Sequence, residues 1–551
     1  MFIPLKMHCE RSVGVGLVLI LILVMTVPDA GGQTPLPHLR TQGTATQFIV
    51  DGEPFLMLGG ELGNSSASSA EYLRPHWQKF VDLNMNTVIA PVYWEIIEPE
   101  EGQFDFALVD SLIEGARNHD LRLVLLWFGS WKNSMSSYVP SWVKLDQDRF
   151  PRARRADGTP IEILTPFSEA NIEADRRAFT RFMEHLRNVD GERQTVILVQ
   201  VENEIGMIPE ARDHSVLARA AYDAEVPAEL IARIRSSEHR ITDELRRLWD
   251  DGGQRTSGTW REVFGESARA EEVFMAWYFA RYVEAIVASG KEAYPLPMYV
   301  NAALPRPGVE PGAYPSAGPL PHLFDVWYTA APSLDFLAPD IYFPNFVEWM
   351  ARYDQPGNPL FIPEAHYAGA PEAAVNAFYV FGNHNAIGFG PFSIESIDDP
   401  KNDPLSAGYD VLRQISHLIM EHQGMGTMVG VLPVTDFEGN VGDSDTQFRF
   451  GEYDVTVAFR DPWQPDHSHP RGGLIIQLAD NELLVAGSGI TLTFGAGDGR
   501  AGILSIYEGT YEDENWVPGR LLNGDQSHQG RHLRIPPGEY AIQRVQLYQY
   551  N

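Results

Sequence analysis

The chain is almost without cysteine. Its 551 residues contain one, Cys9, which lies ahead of an apolar run at residues 13–27. A mature protein that has lost this N-terminal segment contains no thiol. Disulfides, cysteine-ligated metals and cysteine nucleophiles are then all excluded from it.

Basic residues and the short motifs of cofactor enzymes are also scarce. Lys and Arg number 42 against 74 Asp and Glu, for a net charge of -32, and such a surface repels nucleic acid. No G-x-G-x-x-G turn follows an apolar run, and no H-E-x-x-H, P-loop or G-x-S-x-G motif occurs. The segment from Asp466 to His469 lacks zinc-type spacing and is interpreted as a solvated loop. The sequence therefore predicts no metal and no organic cofactor.

The N-terminus has the pattern of an export signal. Lys6 and Arg11 precede the apolar run, and small residues follow it at positions 30–32. The run is shorter than the roughly 20 residues of a spanning helix, which disfavours the alternative of an uncleaved membrane anchor. We expect residues 1–32 to be a cleaved signal peptide. The mature protein would be periplasmic or secreted, without stable membrane insertion.

Apolar strands alternate with amphipathic helices between about residues 45 and 425. Eight strand-like runs occupy residues 54–60, 86–94, 121–128, 196–204, 298–300, 336–342, 360–364 and 386–394. Continuous apolar runs are typical of parallel strands that are buried on both faces. Eight such units predict an α/β fold, a (β/α)8 TIM barrel, and the missing Gly-rich turn disfavours a doubly wound sheet.

The pattern changes after residue 425. Short β-rich runs at residues 455–459, 474–478, 483–486, 490–494 and 544–548 are separated by clusters of Gly, Asp and Asn. No helical period is visible there. Residues 426–551 are therefore predicted to form a C-terminal all-β sandwich-like domain.

Two glutamates end predicted barrel strands. Glu204 ends the fourth strand within Gln-Val-Glu-Asn-Glu-Ile-Gly, and Glu364 ends the seventh within Ile-Pro-Glu-Ala-His. The carboxyl ends of barrel strands meet at the face where such barrels hold their active sites. Two carboxylates facing each other there suit glycosidic cleavage, in which one protonates the leaving oxygen and the other attacks the anomeric carbon. Structural ion pairs are the alternative, and we favour catalysis.

These two motifs, with residues 48–55, 86–99 and 102–106, resemble glycoside hydrolase family 35, the β-galactosidases of clan A. The resemblance implies that Glu204 is the acid/base and Glu364 the nucleophile. It also implies that Asn203 contacts the substrate 2-hydroxyl and that Tyr342 donates to the nucleophile. Residues 127–133 depart from the family pattern, which has a galactose-binding glutamate at the end of strand three.

The resemblance implies a carbohydrate-binding enzyme: a retaining exo-β-galactosidase for terminal β-D-galactosides of plant-type polysaccharides, such as xyloglucan side chains. Two alternatives stay open. One is the same machinery acting on another sugar or as an endo-glycanase. The other is a non-catalytic carbohydrate-binding protein. A homo-oligomer is also left open.

Further candidates for substrate binding flank the two glutamates. Glu202 shares a face with Glu204 if the strand is regular, so it is expected to give a supporting hydrogen bond or to be the acid itself. Lys132 and Asn133 are candidates to replace the galactose-binding acid. His366 is expected to brace Glu364 or a sugar hydroxyl. The remaining candidates are an acid for sugar hydroxyls and aromatic rings for sugar faces: Glu61, Tyr93, Trp127, Trp131 and Phe392.

Overall fold

The computed structural model describes residues 35–550 apart from residues 237–240, 443, 461–468 and 498. The predicted signal peptide and residues 466–468 of the Asp466–His469 segment lie outside the described residues. Within the described part of the chain, no helix has both the length and the apolarity needed to cross a membrane.

Eight parallel strands form the centre of the fold. In chain order they are β1 (Met57–Leu58), β2 (Thr87–Tyr93), β3 (Arg122–Lys132), β4 (Val196–Asn203), β5 (Met298–Ala303), β6 (Phe336–Ile341), β7 (Phe361–Tyr367) and β8 (Gly388–Phe392). Hydrogen bonds join them in the order β1-β8-β7-β6-β5-β4-β3-β2. The ring closes just past β1, where the Leu62 amide donates to the Ile89 carbonyl at 2.9 Å. The predicted TIM barrel is confirmed.

Helices surround this ring, with one main helix after each strand. They are α1 (Trp77–Asp82), α2 (Ala107–Arg117), α3 (Glu169–Asp190), α4 (Ala268–Ala293), α5 (Phe324–Ala330), α6 (Phe346–Tyr353), α7 (Glu372–His384) and α8 (Pro404–His422). Shorter helices occupy the loops: Ala70–Leu73, Trp94–Ile97, Ser141–Leu145, Val216–Tyr222, Ala228–Arg235, Asp243–Asp251 and Trp260–Phe264. Each main helix lays an apolar face on the strands, as the amphipathic pattern predicts.

The C-terminal region contains ten antiparallel strands. They are β9 (Met428–Val431), β10 (Thr446–Phe450), β11 (Tyr453–Ala458), β12 (Gly472–Ala479), β13 (Glu482–Ser488), β14 (Ile490–Ala496), β15 (Arg500–Glu512), β16 (Asn515–Leu521), β17 (Leu533–Ile535) and β18 (Ala541–Tyr550). A six-stranded sheet has the order β9-β12-β13-β18-β15-β16, and a four-stranded sheet has the order β10-β11-β14-β17. The two sheets share an apolar core that includes Ile475, Val485 and Leu492. This arrangement agrees with the predicted sandwich.

The six-stranded sheet also packs against the barrel. Leu474, Ile476 and Leu484 on its other face belong to the same apolar core as the barrel strands and helices. Residues 35–551 form one compact unit, so the domain boundary at residue 426 stays a prediction.

Two glycines set the distance between α7 and this sheet. A Cβ atom added at Gly430 in β9 would lie 2.2 Å from the Tyr379 carbonyl oxygen, and one added at Gly382 in α7 would lie 2.7 Å from the Gly430 nitrogen. Both contacts are with backbone atoms, which cannot move aside alone. The absence of side chains therefore permits the close packing of helix on sheet.

We predict that Gly430→Ala destabilises the protein by about 1–3 kcal/mol, because an extra methyl group in a packed contact forces the two elements apart. The melting temperature in a thermal scan measures the effect. Gly495→Ala in β14 is the matched control, since its added Cβ would lie at an ordinary 3.6 Å from the nearest atom. Equal melting temperatures for the two variants would contradict the packing argument.

Candidate active site

Glu204 and Glu364 come together at the carboxyl ends of β4 and β7. One carboxyl oxygen of each lies within 4.8 Å of the other and of an oxygen of Asp340. The glutamates are only 6% and 5% exposed. Two carboxyl groups this close match the separation of about 5–5.5 Å that retaining glycosidases use, and they are nearer than inverting enzymes require.

Asp340, near the end of β6, is an acid of this site that the sequence reasoning missed. Asn301, from β5, links it to the acid on β4. The Asn301 side chain donates to Asp340 at 2.5 Å and accepts from the Glu204 amide at 3.0 Å. Burial, followed by the charges of Glu364 and Glu204, raises the pKa of Asp340 well above its usual range. Asp340 therefore holds a proton beside the two glutamates.

Glu61 brings a fourth carboxyl group to the same place. It lies where the chain closes the ring between β8 and β2, and it is 1% exposed. Burial and the charge of Glu364 raise the pKa of Glu61 well above its usual range. Lys132 opposes this effect, because its ammonium group lowers the pKa of Glu61, Asp340 and Glu204.

Residues at the end of β3 and just after it form hydrogen bonds with the end of β4. The Lys132 ammonium donates to the side-chain oxygen of Asn203 at 2.9 Å. The Asn133 amide donates to a carboxyl oxygen of Glu204. The Ser134 amide donates to the Glu204 carbonyl at 3.1 Å. Asn133 thus contacts Glu204 directly, and Lys132 contacts its neighbour Asn203.

The two glutamates have different electrostatic surroundings. Burial and the charge of Glu364 raise the pKa of Glu204 to about 7, while Lys132 and the hydrogen bonds from Asp340 and Asn133 limit the rise. Glu364 accepts a hydrogen bond from the Tyr342 hydroxyl. Burial and the charge of Glu364 raise the pKa of Tyr342, so this hydroxyl keeps its proton.

Three aromatic residues that were candidate sugar platforms lie in the packed interior instead. The Trp127 ring is fully buried against Phe182 on α3, and the Trp131 ring is fully buried against Tyr282 on α4. Tyr93 is 4% exposed and packs on Tyr138 and Phe128. The two tryptophan rings are therefore not available to a sugar, and Tyr93 is almost covered. Phe392, which is half-buried, packs edge-on against Tyr342, the partner of Glu364.

The side chains of Glu202 and His366 contact residues other than the two glutamates. The backbone of β4 is irregular at its end, with φ of +63° at Glu202 and +46° at Glu204, so the two side chains do not share a face. Glu202 accepts from the Trp131 amide at 2.7 Å, on the side of α3. His366 forms a hydrogen bond of 2.9 Å with the Asn376 side chain on α7. Among the described residues, it has no hydrogen bond with Glu364. It lines a cavity of about 460 Å³ between α6, α7 and loops of the C-terminal region.

Several buried polar atoms of the site have no protein partner among the described residues. They are the Asn203 side-chain nitrogen, both Glu61 oxygens, one Asp340 oxygen and one Glu364 oxygen. Buried polar groups are rarely left unpaired, because each costs about 1–3 kcal/mol. Donors and acceptors converging on one enclosed space suit a ligand with several hydroxyl groups. The three close carboxylates alone do not identify a metal site, and Lys132 already offsets part of their charge, so no metal is assigned.

We predict that Lys132→Met raises the pKa of Glu204 by about one unit or more. The ammonium group of Lys132 favours the ionised carboxylate, and the variant lacks this charge. Carbon-13 NMR titration of the glutamate side chains measures this shift. Lys144→Met is the matched control, since Lys144 forms a half-exposed ion pair with Glu95 away from the site. An unchanged or lower pKa in Lys132→Met would rule out the assigned role of this lysine.

Comparisons with known proteins found similarities over parts of the chain. Residues 47–244 match the family model described as Glycosyl hydrolases family 35, and residues 405–534 match a domain of unknown function, DUF5597. A β-galactosidase of Xanthomonas manihotis is 31% identical over 195 residues, which cover 34% of this chain and 29% of that protein. Beta-galactosidase-1-like protein 3 of Homo sapiens is 28% identical over 168 residues, covering 29% of this chain and 23% of that protein.

Solved structures were compared as well. A β-galactosidase from the Antarctic haloarchaeon Halorubrum lacusprofundi is 17% identical, with a TM-score of 0.45 over 65% of this chain and 58% of that chain. The β-galactosidase of Bacillus circulans sp. alkalophilus is 12% identical, with a TM-score of 0.46 over 66% and 57%. The matched segments of the chain span less than a third of the length of each of the two curated relatives. Residues 47–244, which include Asn203 but end before Glu364, are therefore similar to glycosyl hydrolases family 35.

Proposed function

We propose that the protein is a retaining exo-β-galactosidase that removes terminal β-D-galactose from plant-type oligo- and polysaccharides, such as xyloglucan side chains. The observation that carries the proposal is the approach of the Glu204 and Glu364 carboxyl oxygens to within 4.8 Å. The similarity of residues 47–244 to glycosyl hydrolases family 35 supports the reaction class. Export through the signal predicted at residues 1–32 would bring the enzyme to such polymers.

In the first step Glu204 gives its proton to the departing glycosidic oxygen while a Glu364 oxygen attacks the anomeric carbon. The bond to the leaving group breaks, and a covalent glycosyl ester forms on Glu364. A pKa of about 7 keeps a large share of Glu204 protonated near neutral pH. The Tyr342 hydroxyl orients Glu364 for attack.

In the second step Glu204 takes a proton from a water molecule, and the water oxygen attacks the anomeric carbon. The bond between this carbon and Glu364 breaks, which releases the sugar and restores the Glu364 carboxylate. Esterification has removed the charge of Glu364, which is one of the causes that raise the pKa of Glu204. The pKa of Glu204 therefore falls in the intermediate, when a base is needed. The same pair thus supplies an acid and then a base.

The enclosure of the site supports action on chain ends. Both catalytic glutamates are nearly covered, and Glu61 with its unpaired oxygens lies deeper still at 1% exposed. A single terminal sugar fits such a space, whereas an endo-glycanase needs an open groove for chain on both sides. Glu61, Asp340 and the Asn203 amide offer partners for the hydroxyl groups of that sugar.

We predict that Glu364→Gln and Glu204→Gln each lower kcat on an aryl β-galactoside by about 100- to 10,000-fold, because each removes a group that reacts in the transition state. Glu364→Gln should also lower the pKa of Glu204 from about 7, since the neighbouring negative charge is gone. Steady-state kinetics and NMR titration measure the two effects. Glu348→Gln, at an exposed position on α6, is the control and should keep full activity. Near-normal turnover by either active-site variant would refute the assignment.

We also predict that NMR of the first-formed product shows the β-anomer of galactose, because two displacements restore the original configuration. A panel of aryl β-glycosides tests the sugar, since residues 127–133 lack the glutamate of the family pattern. Faster cleavage of the glucoside or mannoside would replace galactose by that sugar. Sugar binding without product from any glycoside would favour a binding protein instead.

A further inference from the structure

A second pair of buried carboxyl groups lies behind the active site, between β4 and α3. Glu202 and Asp175 are both fully buried. Asp175 accepts hydrogen bonds from the Trp127 ring nitrogen at 2.9 Å, the Ser130 amide at 3.0 Å and the Ser130 hydroxyl at 2.6 Å. Glu202 accepts from the Trp131 amide, and its other oxygen has no donor among the described residues.

Glu202 is the acid of this pair whose neutral form is favoured. Burial, followed by the charge of Asp175, raises the pKa of Glu202 well above its usual range. Tyr282 of α4, the titratable group on the other side, bonds the Ser130 hydroxyl at 2.7 Å and stays neutral because burial raises its pKa.

The pair lies inside a bulge of β3. Trp127 pairs with Val201, and the next pairing joins Lys132 to Asn203, so β3 uses five residues where β4 uses two. The additional residues wrap closely around the pair. A Cβ atom added at Gly129 would lie 2.8 Å from the unpaired Glu202 oxygen and 2.3 Å from the Trp127 ring nitrogen. The hydrogen bonds of Ser130 and Trp131 to the two acids fix the path of this bulge.

The bulge delivers the residues that hold the active site. Lys132 and Asn133 follow it directly and contact Asn203 and Glu204. We propose that Glu202 is a positioning residue: with Asp175 it fixes the β3 bulge, and the bulge sets the position of Glu204 through Lys132 and Asn133. This role rests on the proposed function only for its effect on turnover.

Three variants test the proposal. Glu202→Gln keeps an acceptor for the Trp131 amide, so kcat and the melting temperature should stay close to those of the wild type. Glu202→Ala removes this acceptor and releases the bulge. We expect it to lower kcat by up to about 100-fold, as small displacements of reacting groups do. Glu98→Gln is the matched control, because Glu98 is equally buried but bonds only donors, including Arg177 at 2.9 Å. It should lose stability, since an amide cannot replace a carboxylate there.

NMR titration of Glu204 gives a readout that does not depend on turnover. The Asn133 hydrogen bond lowers the pKa of Glu204, so the pKa should rise in Glu202→Ala and stay unchanged in Glu202→Gln. A Glu202→Gln variant as inactive as Glu202→Ala would show that a charged Glu202 is needed and would overturn the proposal. So would normal turnover and an unchanged pKa in Glu202→Ala. If Glu202→Ala does not fold, the Gln variant decides alone. If the wild type cleaves no glycoside, the proposed function fails while the titration still tests the positioning role.

Discussion

Mutual repulsion among buried carboxyl groups governs the chemistry at the mouth of this barrel. Glu61, Glu204, Asp340 and Glu364 influence one another, and Lys132 is the positive charge that acts on three of them. All four cannot ionise together at such distances in an enclosed space, so protons stay on some of them near neutral pH. The pKa of Glu204, the proposed acid, is raised in this way. Its difference from an ordinary glutamate follows from its surroundings, since the groups themselves are chemically alike.

The barrel creates this crowding through the ends of its strands. Glu364 and Asp340 lie in register on β7 and β6, and Asn301 on β5 connects Asp340 to the Glu204 backbone. From the other side, β3 departs from regular pairing and reaches over β4 with Lys132 and Asn133. Parallel strands alone would bring the ends near one another. The irregular backbone at Glu202, Glu204 and His366 then sets where each side chain points.

The sequence predicted the fold well, because it depends on periodicity. Long apolar runs alternating with amphipathic helices define the barrel, and short β-rich runs define the sandwich. The same reasoning located Glu204 and Glu364, since a polar residue that ends an apolar run must lie at the barrel face. It missed Asp340, although an acid near the end of the apolar run 336–342 carried the same signal. The side-chain directions of Trp127, Trp131 and Glu202 could not be predicted, because they depend on the bulge in β3. This bulge is set by hydrogen bonds to the side chain of Asp175, about 45 residues away in the chain, and no local pattern reveals it.

The close contact of α7 with the six-stranded sheet has a consequence for attempts to shorten the protein. Cutting the chain after α8 would uncover the apolar surface that Leu474, Ile476 and Leu484 now cover. Large uncovered patches of this kind drive self-association. α7 also follows β7, the strand that carries Glu364, so loosening this helix would displace the proposed nucleophile. The C-terminal sheets therefore stabilise the barrel, and we expect a barrel without them to aggregate.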